Sequence, residues 1–157
     1  MKRWVFLCVL AAMLVLPFTG LAGDLPPNPI KDAKVGEWVL YQMMGPMQQK
    51  QTVTAVHKDA VTVKIDIIMN GKVVSTVSNK IRFDQKGPGA PPQGSPKFKM
   101  GKATVQVKGH SLDCITTEVK AQGKTIVTYI SPDIPVFGVV QTNMNGQPLM
   151  KLLDWGK

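Results

Sequence analysis

The chain has 157 residues, with 19 basic and 10 acidic side chains and a net charge of +9. Its basic residues are almost all lysines, and aromatic residues make up only 6% of the chain. Nucleic-acid recognition usually relies on arginine for phosphate binding and on aromatic rings for base stacking. The composition therefore argues against a nucleic-acid partner and leaves a looser attraction to anionic surfaces open.

Residues 1–23 have the features of a secretory signal peptide. Lys2 and Arg3 form a positive start, residues 4–16 are apolar, and Pro17 ends that segment before a run of small residues. An uncleaved membrane anchor is the less favoured alternative, because the apolar segment is shorter than the roughly 20 residues that a span needs. We therefore expect a secreted or periplasmic protein with no transmembrane segment after signal cleavage.

Residues 24–157 then remain as one domain, long enough to bury a sizeable core. They keep 17 of the 19 basic residues against all 10 acidic ones, a net charge of +7. Cys114 is the one cysteine of this segment, so an intrachain disulfide bond is excluded. A lone thiol is protected when it is buried, and we expect Cys114 in the core. A catalytic pairing with His110 is not expected, because in an extended strand the two residues lie about 13 Å apart.

The hydrophobic pattern of the mature chain predicts an all-β fold. Beyond one helical turn at 30–35, no segment sustains the 3.6-residue period of a helix. The strongest strand signal is 61–69, where apolar residues alternate with polar ones. We expect about nine antiparallel strands in one strongly curved sheet, either an open half-barrel or a small barrel. The predicted strands span residues 37–43, 48–57, 61–69, 73–83, 103–107, 110–121, 124–130, 136–143 and 149–155.

The Asn70-Gly71 pair predicts a hairpin between the third and fourth strands. Its register can be chosen by keeping the apolar side chains on one face of the sheet. A two-residue loop would place Val63 opposite a polar residue, whereas a three-residue loop at 69–71 places it opposite Val77. We therefore expect the three-residue loop, built as a type I turn with Gly71 in the left-handed region.

Residues 84–101 interrupt the strand pattern with a run rich in proline and glycine. We predict a flexible surface loop there, because no apolar face repeats along it. Lys97 and Lys99 lie near its end and could attract anionic lipid or cell-wall polymer. A solvated, lysine-rich loop is the simpler alternative.

The closing segment, residues 128–157, carries strand and turn signals up to its last residues. Two prolines exclude residues 131–135 from a central strand, and an Asn-Gly pair predicts a hairpin turn at 145–146. We expect residues 149–155 to pair along the sheet and residues 134–137 to cover one end of the core.

Met43, Met44 and Met47 come closest to a site in the sequence. Thioether groups bind Cu(I), but methionine also lines apolar binding surfaces and fills gaps in cores. Core or edge packing is the simplest interpretation, an apolar ligand surface comes second and copper third. The sequence offers no catalytic set and no metal-ligand spacing. We therefore expect no enzymatic activity, no cofactor and no metal.

The chain has a Val-Gly-Glu-Trp-Val start at 35–39, a Tyr-Ile-Ser-Pro turn at 129–132, a Gly-Val-Val strand at 138–140 and a closing Leu-Leu-Asp-Trp-Gly at 152–156. These motifs resemble small, uncharacterised secreted bacterial β-sheet proteins. The strand order is also distantly similar to that of lipoprotein-carrier-type half-barrels, although this chain lacks their long helices. The resemblance implies a secreted β-sheet protein and carries over no catalytic residues.

Two functions are compatible with these predictions. The first is a non-enzymatic binding module for an apolar or amphipathic envelope molecule such as a lipid, with Met43, Met44, Met47, Lys97 and Lys99 as candidate contacts. The alternative is a structural or protein-interaction module of the cell envelope with no small-molecule ligand. It would meet its partner through an exposed sheet edge or the long loop. An apolar cavity inside the curled sheet would favour the first function, and a filled core with a bare edge would favour the second.

Overall fold

The computed structural model describes residues 29–83 and 98–157. The predicted signal peptide and residues 84–97 of the predicted loop lie outside these described residues. A short 3₁₀ helix, Pro29–Asp32, precedes the strands. The strands are β1 (Trp38–Met43), β2 (Met47–Val56), β3 (Ala60–Met69), β4 (Lys72–Arg82), β5 (Phe98–Val107), β6 (His110–Ala121), β7 (Lys124–Ile130), β8 (Val139–Met144) and β9 (Gln147–Gly156).

All nine of these strands form one antiparallel sheet in the order β4-β3-β2-β1-β9-β8-β7-β6-β5. Five of the eight strand pairs contain a register shift, which bends a strand and increases its twist. Within the described residues the sheet stays open, with β4 and β5 at its edges. The predicted all-β fold of nine antiparallel strands is confirmed, in the form of an open sheet rather than a closed small barrel.

The last strand of the chain lies in the middle of the sheet. β9 pairs with β8 on one side and with β1 on the other, where Trp38 is opposite Gly156. This contact joins the hairpins formed by β1–β4 to those formed by β5–β9. The prediction that residues 149–155 pair along the sheet is confirmed.

One face of the sheet, which we call the core face, carries the buried side chains. Val39, Val53 and Val63 are fully buried on adjacent strands, as the period of two in their sequences requires. Ile134 and Val136, from the segment between β7 and β8, belong to the same core cluster. Residues 134–137 therefore cover part of the core, as predicted.

The phenol of Tyr41 is buried in this core. Its hydroxyl donates a hydrogen bond to the carbonyl of Val139 at 3.0 Å, which links β1 to the start of β8. Burial raises the pKa of Tyr41 above its ordinary value, because the charged phenolate would be far from water.

The hairpin between β3 and β4 differs from the prediction. Met69 pairs directly with Lys72, so the loop has two residues and the predicted three-residue loop is wrong. Asn70 and Gly71 both adopt positive φ angles, 51° and 75°, which is the pattern of a type I′ turn. Its twist matches that of the flanking strands, which favours this turn in two-residue hairpins.

A bulge in β4 restores the parity that the predicted loop was meant to give, but not its register, because Val63 is opposite Asn79 instead of Val77. Ile68 pairs with Val73 and Ile67 pairs with Ser75, which leaves Val74 as an extra residue. Beyond this bulge Ile65 is opposite Val77, so residues of the same parity share a face again. The apolar pattern fixed the parity correctly, but the chain achieves it within the strand instead of in the turn.

Two strand boundaries also differ from the predictions. β5 begins at Phe98, so residues 98–101 belong to a strand and not to a loop, with Gly101 paired to Thr116. A side chain at position 101 would contact the Thr116 hydroxyl at 2.8 Å, which explains why glycine can occupy a strand here. β8 begins at Val139 instead of residue 136, because Val136 has a φ of 66°, outside the strand region.

Candidate interaction surface at the edge of the sheet

The three candidate methionines do not form one site. Met43 is buried in the core at the end of β1, whereas Met44 is 61% exposed in the following turn. Met47 begins β2 and packs partly against the core. The turn between them is held by Gln42, whose amide nitrogen donates to the carbonyls of Gly45 at 2.6 Å and Met47 at 3.0 Å. These positions fit core and turn packing.

The candidate lysines do not join the methionines. Lys97 lies outside the described residues, and Lys99 is exposed on β5, opposite Glu118 of β6. In the sheet order, four strands separate β5 from β1, the strand that carries Met43. The structure therefore does not bring these five predicted contacts together.

The core face carries polar as well as apolar side chains. Gln49 and Gln51 of β2 are both fully buried there. Within the part of the chain that the structure describes, neither polar atom of the Gln51 amide has a hydrogen-bond partner. A face with two buried amides is poorly suited to the apolar ligand of the first predicted function.

A pocket of about 510 Å³ lies at the end of the sheet, where the 3₁₀ helix, the segment before β8 and the end of β9 meet. Asp32, Lys34, Glu37 and Asp133 supply charged side chains to its wall, beside the indole of Trp155. None of the four candidate contact residues that the structure describes lines it. Its mixed charge is typical of a hydrated surface cleft rather than of an apolar ligand cavity.

Cys114 is buried, as predicted, and its thiol is 3.5 Å from the carbonyl of Leu112. Burial raises the pKa of this thiol, so the reactive thiolate is disfavoured. The ring of His110 lies edge-on against that of Trp155, with the ring centroids 5.6 Å apart. The thiol and the imidazole thus have separate structural partners.

Alternate backbone N–H and C=O groups of β4 point away from its neighbour β3. Phe83 donates its N–H to the carbonyl of Asp59 at 2.8 Å, so these two residues form a hydrogen-bonded pair. Hydrogen-bonded and non-hydrogen-bonded pairs alternate along an antiparallel ladder. The N–H and C=O groups of Thr76, Ser78 and Lys80 therefore point away from β3. Among the strands of residues 29–83 and 98–157, none pairs with this side of β4.

The side chains of β4 are exposed on both faces despite their apolar content. Nine of its eleven residues are exposed. Val73, Val74 and Val77 are 58%, 57% and 50% exposed, respectively. An exposed, apolar strand at a sheet edge is a template for pairing with another chain. We call this strand side, with its outward backbone groups and its exposed valines, the β4 edge.

On the outer face of the sheet, opposite the core face, the side chain of Asp66 links β3 to β4. Thr76 of β4 donates its hydroxyl to one carboxylate oxygen of Asp66 at 2.6 Å, and the Lys64 ammonium lies 2.9 Å from the other. The Thr76 hydrogen bond, with smaller contributions from Lys64, lowers the pKa of Asp66. The ionised carboxylate thus links β3 to the edge strand.

This linkage continues toward the middle of the sheet. Lys50 pairs with Asp66 across β2 and β3, and its ammonium lies 4.6 Å from the centroid of the Trp38 ring. The Trp38 indole lies over Gly156 of β9, where an added side-chain carbon would be 3.1 Å from the ring nitrogen. Side chains on one face thus connect the central strand to the β4 edge.

Both edge strands carry basic residues and no carboxylates. β4 contains Lys72, Lys80 and Arg82, and β5 contains Lys99 and Lys102. Arg82 lies 3.5 Å from the Asp59 carboxylate. Within the described residues, Lys72 and Lys80 form no ion pair. The two edges of the sheet therefore present charge of the same sign.

No protein-family model and no curated protein matches this chain. The resemblance to lipoprotein-carrier-type half-barrels therefore stays a prediction. In the described ranges, no group of three or more His, Cys, Asp or Glu side chains is arranged to hold a metal ion. No helix in those ranges is long and apolar enough to cross a membrane.

Sequence reasoning did not single out the β4 edge. It predicts the strand at 73–83 but not the pairing of β1 with β9, so it does not show that this strand lies at an edge. The available signal was the composition of the strand, which combines three valines with three basic residues and no acidic ones. Lysine within an apolar strand is a typical mark of an edge.

Proposed function

We propose that this chain is a secreted or periplasmic protein-interaction module that binds an extended segment of a partner protein along the β4 edge. The observation that carries the proposal is the combination of outward backbone groups at Thr76, Ser78 and Lys80 with exposed valines on the same strand. In such strand addition, main-chain hydrogen bonds provide affinity and the side chains on each face provide selectivity.

The filled core supports this proposal over binding of an apolar small molecule. Ile134 and Val136 are fully buried in the core cluster, in the region that a ligand would need to enter. The β4 edge extends the sheet without displacing any of these side chains. The partner segment would become a tenth strand, and only the exposed strand would lose contact with water.

The rigidity of β4 also favours pairing. The hydrogen bond between Thr76 and Asp66 fixes the middle of the strand on its outer face. The strand therefore loses little conformational entropy when a partner segment binds. An interface of one strand is small, and we expect a dissociation constant on the order of micromolar or weaker.

A neutral peptide of about nine residues, alternating valine and threonine and capped at both ends, tests the proposal. Hydrogen exchange measured by NMR on the labelled protein should show slower exchange at the outward amides of Thr76, Ser78 and Lys80 when the peptide is added. A peptide of the same composition with proline at alternate positions cannot pair and serves as the ligand control.

The matched protein variants are Ser78→Pro and Ser78→Ala. Proline at position 78 removes an outward donor without removing a β3–β4 hydrogen bond, whereas alanine keeps that donor. Ser78→Pro should abolish the peptide-induced protection and Ser78→Ala should retain it, with similar thermal unfolding in both. Unchanged exchange of the outward amides at saturating peptide, or wild-type binding by Ser78→Pro, would contradict the proposal.

A further inference from the structure

We infer that the segment that pairs with the β4 edge is acidic and alternates apolar residues with aspartate or glutamate. This inference rests on the proposed function, since it specifies the chemistry of the partner at that same edge.

The edge has positive charge that the described part of the protein does not neutralise. The carboxylates of Asp59 and Asp66, on and just before the neighbouring strand β3, already have partners, because Asp66 binds Thr76 and Lys64, and Asp59 lies beside Arg82. Lys72 and Lys80 have no carboxylate partner among the described residues. An incoming strand with acidic side chains would supply one, and opposite charges directly across two strands attract.

The two faces of β4 define the order of residues in the partner. Val77 and Ile81 lie on the core face, opposite Ile65 and Val61 of β3. Lys80 lies on the outer face, since the pleat alternates side chains between the two faces. A pairing strand would therefore place apolar residues beside Val77 and Ile81 and carboxylates beside Lys80. Beside residues 77–81 this gives an alternation of apolar and acidic residues. Lys72 lies beyond the bulge, opposite Met69 on the core face, so a carboxylate beside it would fall on that face.

A second copy of the chain fits this edge poorly. Antiparallel pairing of two β4 strands would bring Lys72, Lys80 and Arg82 of both copies into one interface. Pairing of β4 with β5 of another copy would combine Lys72, Lys80 and Arg82 with Lys99 and Lys102. Like charges on paired strands are destabilising. The charges that favour binding of an acidic segment therefore also disfavour self-association.

The test compares three capped peptides of about nine residues, in which valine alternates with glutamate, with threonine or with lysine. Binding is measured by calorimetry, and the binding position by hydrogen exchange at Thr76, Ser78 and Lys80. The glutamate peptide should bind about tenfold tighter than the threonine peptide, and the lysine peptide should bind about tenfold more weakly than it. Added salt should reduce the difference.

Charge reversal at one position supplies the protein control. Lys80→Glu should weaken the glutamate peptide about fivefold and strengthen the lysine peptide by a similar factor. Lys124→Glu changes the net charge equally but lies at the exposed start of β7, so it should leave both affinities within about twofold. Equal loss in the two variants would assign the effect to net charge and overturn the inference.

The remaining outcomes separate this inference from the proposed function. If all three peptides protect the outward amides of β4 with equal affinity, the edge binds extended segments but the acidic partner is wrong. If no peptide protects them, the proposed function fails as well. If the protein binds none of the peptides but binds anionic phosphatidylglycerol vesicles, both the inference and the proposed function are overturned. The lysines would then contact a lipid surface.

Discussion

β9 and β4 are strands of similar length in opposite surroundings. β9 lies between β1 and β8 and buries Met150 and Leu152, whereas β4 pairs with β3 alone among the described strands and exposes most of its side chains. Yet β4 contains three valines and an isoleucine. The comparison shows that position in the strand order, and not apolar content alone, decides which strand becomes core and which remains available to a partner.

Removing β9 should destabilise the protein more than any change to β4. A chain truncated after Gly146 loses Met150 and Leu152 from the core and leaves β1 without its pairing to the other half of the sheet. We expect loss of cooperative thermal unfolding, monitored by circular dichroism. Deletion of Lys157 alone, which lies beyond the strand, is the control and should unfold like the intact chain. A truncated protein that still unfolds cooperatively would show that β9 is an appendage.

Single truncations of side chains on the two strands measure how much each strand contributes to the core. Leu152→Ala should lower the free energy of unfolding by about 3 kcal/mol, because it removes buried contacts and leaves a cavity. Val77→Ala on β4 should change it by less than about 0.5 kcal/mol, because Val77 is half exposed. Urea unfolding of both variants measures the difference. Similar losses would mean that β4 contributes to the core as much as β9 does.

A smaller effect is expected where β4 is attached to β3. Thr76→Val should lower the free energy of unfolding by about 1 kcal/mol at neutral pH, because the Asp66 carboxylate loses a hydrogen-bond donor. Ser78→Ala, on the same strand and face, is the control and should be close to neutral. Urea unfolding across a range of pH measures both.

The pH dependence of this effect has a defined sign. The folded-state pKa of Asp66 is lowered, so the stability that its ionised form contributes is present above the unfolded-state pKa, about 3.9. It is lost as the pH falls through the lower folded-state value. The difference between wild type and Thr76→Val should therefore shrink below about pH 4. A difference that stays constant into acid would exclude the ionised Asp66 as its source.

Local features of the fold could be predicted because each has a local cause. Residues 61–67 alternate strictly, since β3 has a core on one side, and Asn70-Gly71 supplies two residues that tolerate positive φ angles. The bulge at Val74 could not be predicted in the same way. A bulge and a three-residue loop both correct the parity of the register, and the apolar pattern is the same for either.

The edge could not be predicted because strand order depends on non-local pairing. Nothing near Trp38 or Gly156 indicates that these residues lie opposite each other. Without knowledge of that contact, the sequence around Val73 and Val77 cannot be distinguished from that of a buried strand. The candidate methionines were equally ambiguous, since Met43 ends a strand in the core and Met44 lies in the exposed turn, although they are adjacent in sequence.

Because β9 lies at the centre of the sheet, the sheet cannot be fully paired until the end of the chain has been synthesised. β1 to β4 can pair as successive hairpins soon after they are made, but β1 lacks its second neighbour until residues 147–156 have been synthesised. Until then a growing chain has two open edges on its first half, at β1 and at β4. Long-range pairing of this kind slows folding and prolongs exposure of unpaired strands. A chaperone that holds the nascent chain would therefore need to protect β1, whose core residues are still uncovered, more than the lysine-bearing β4.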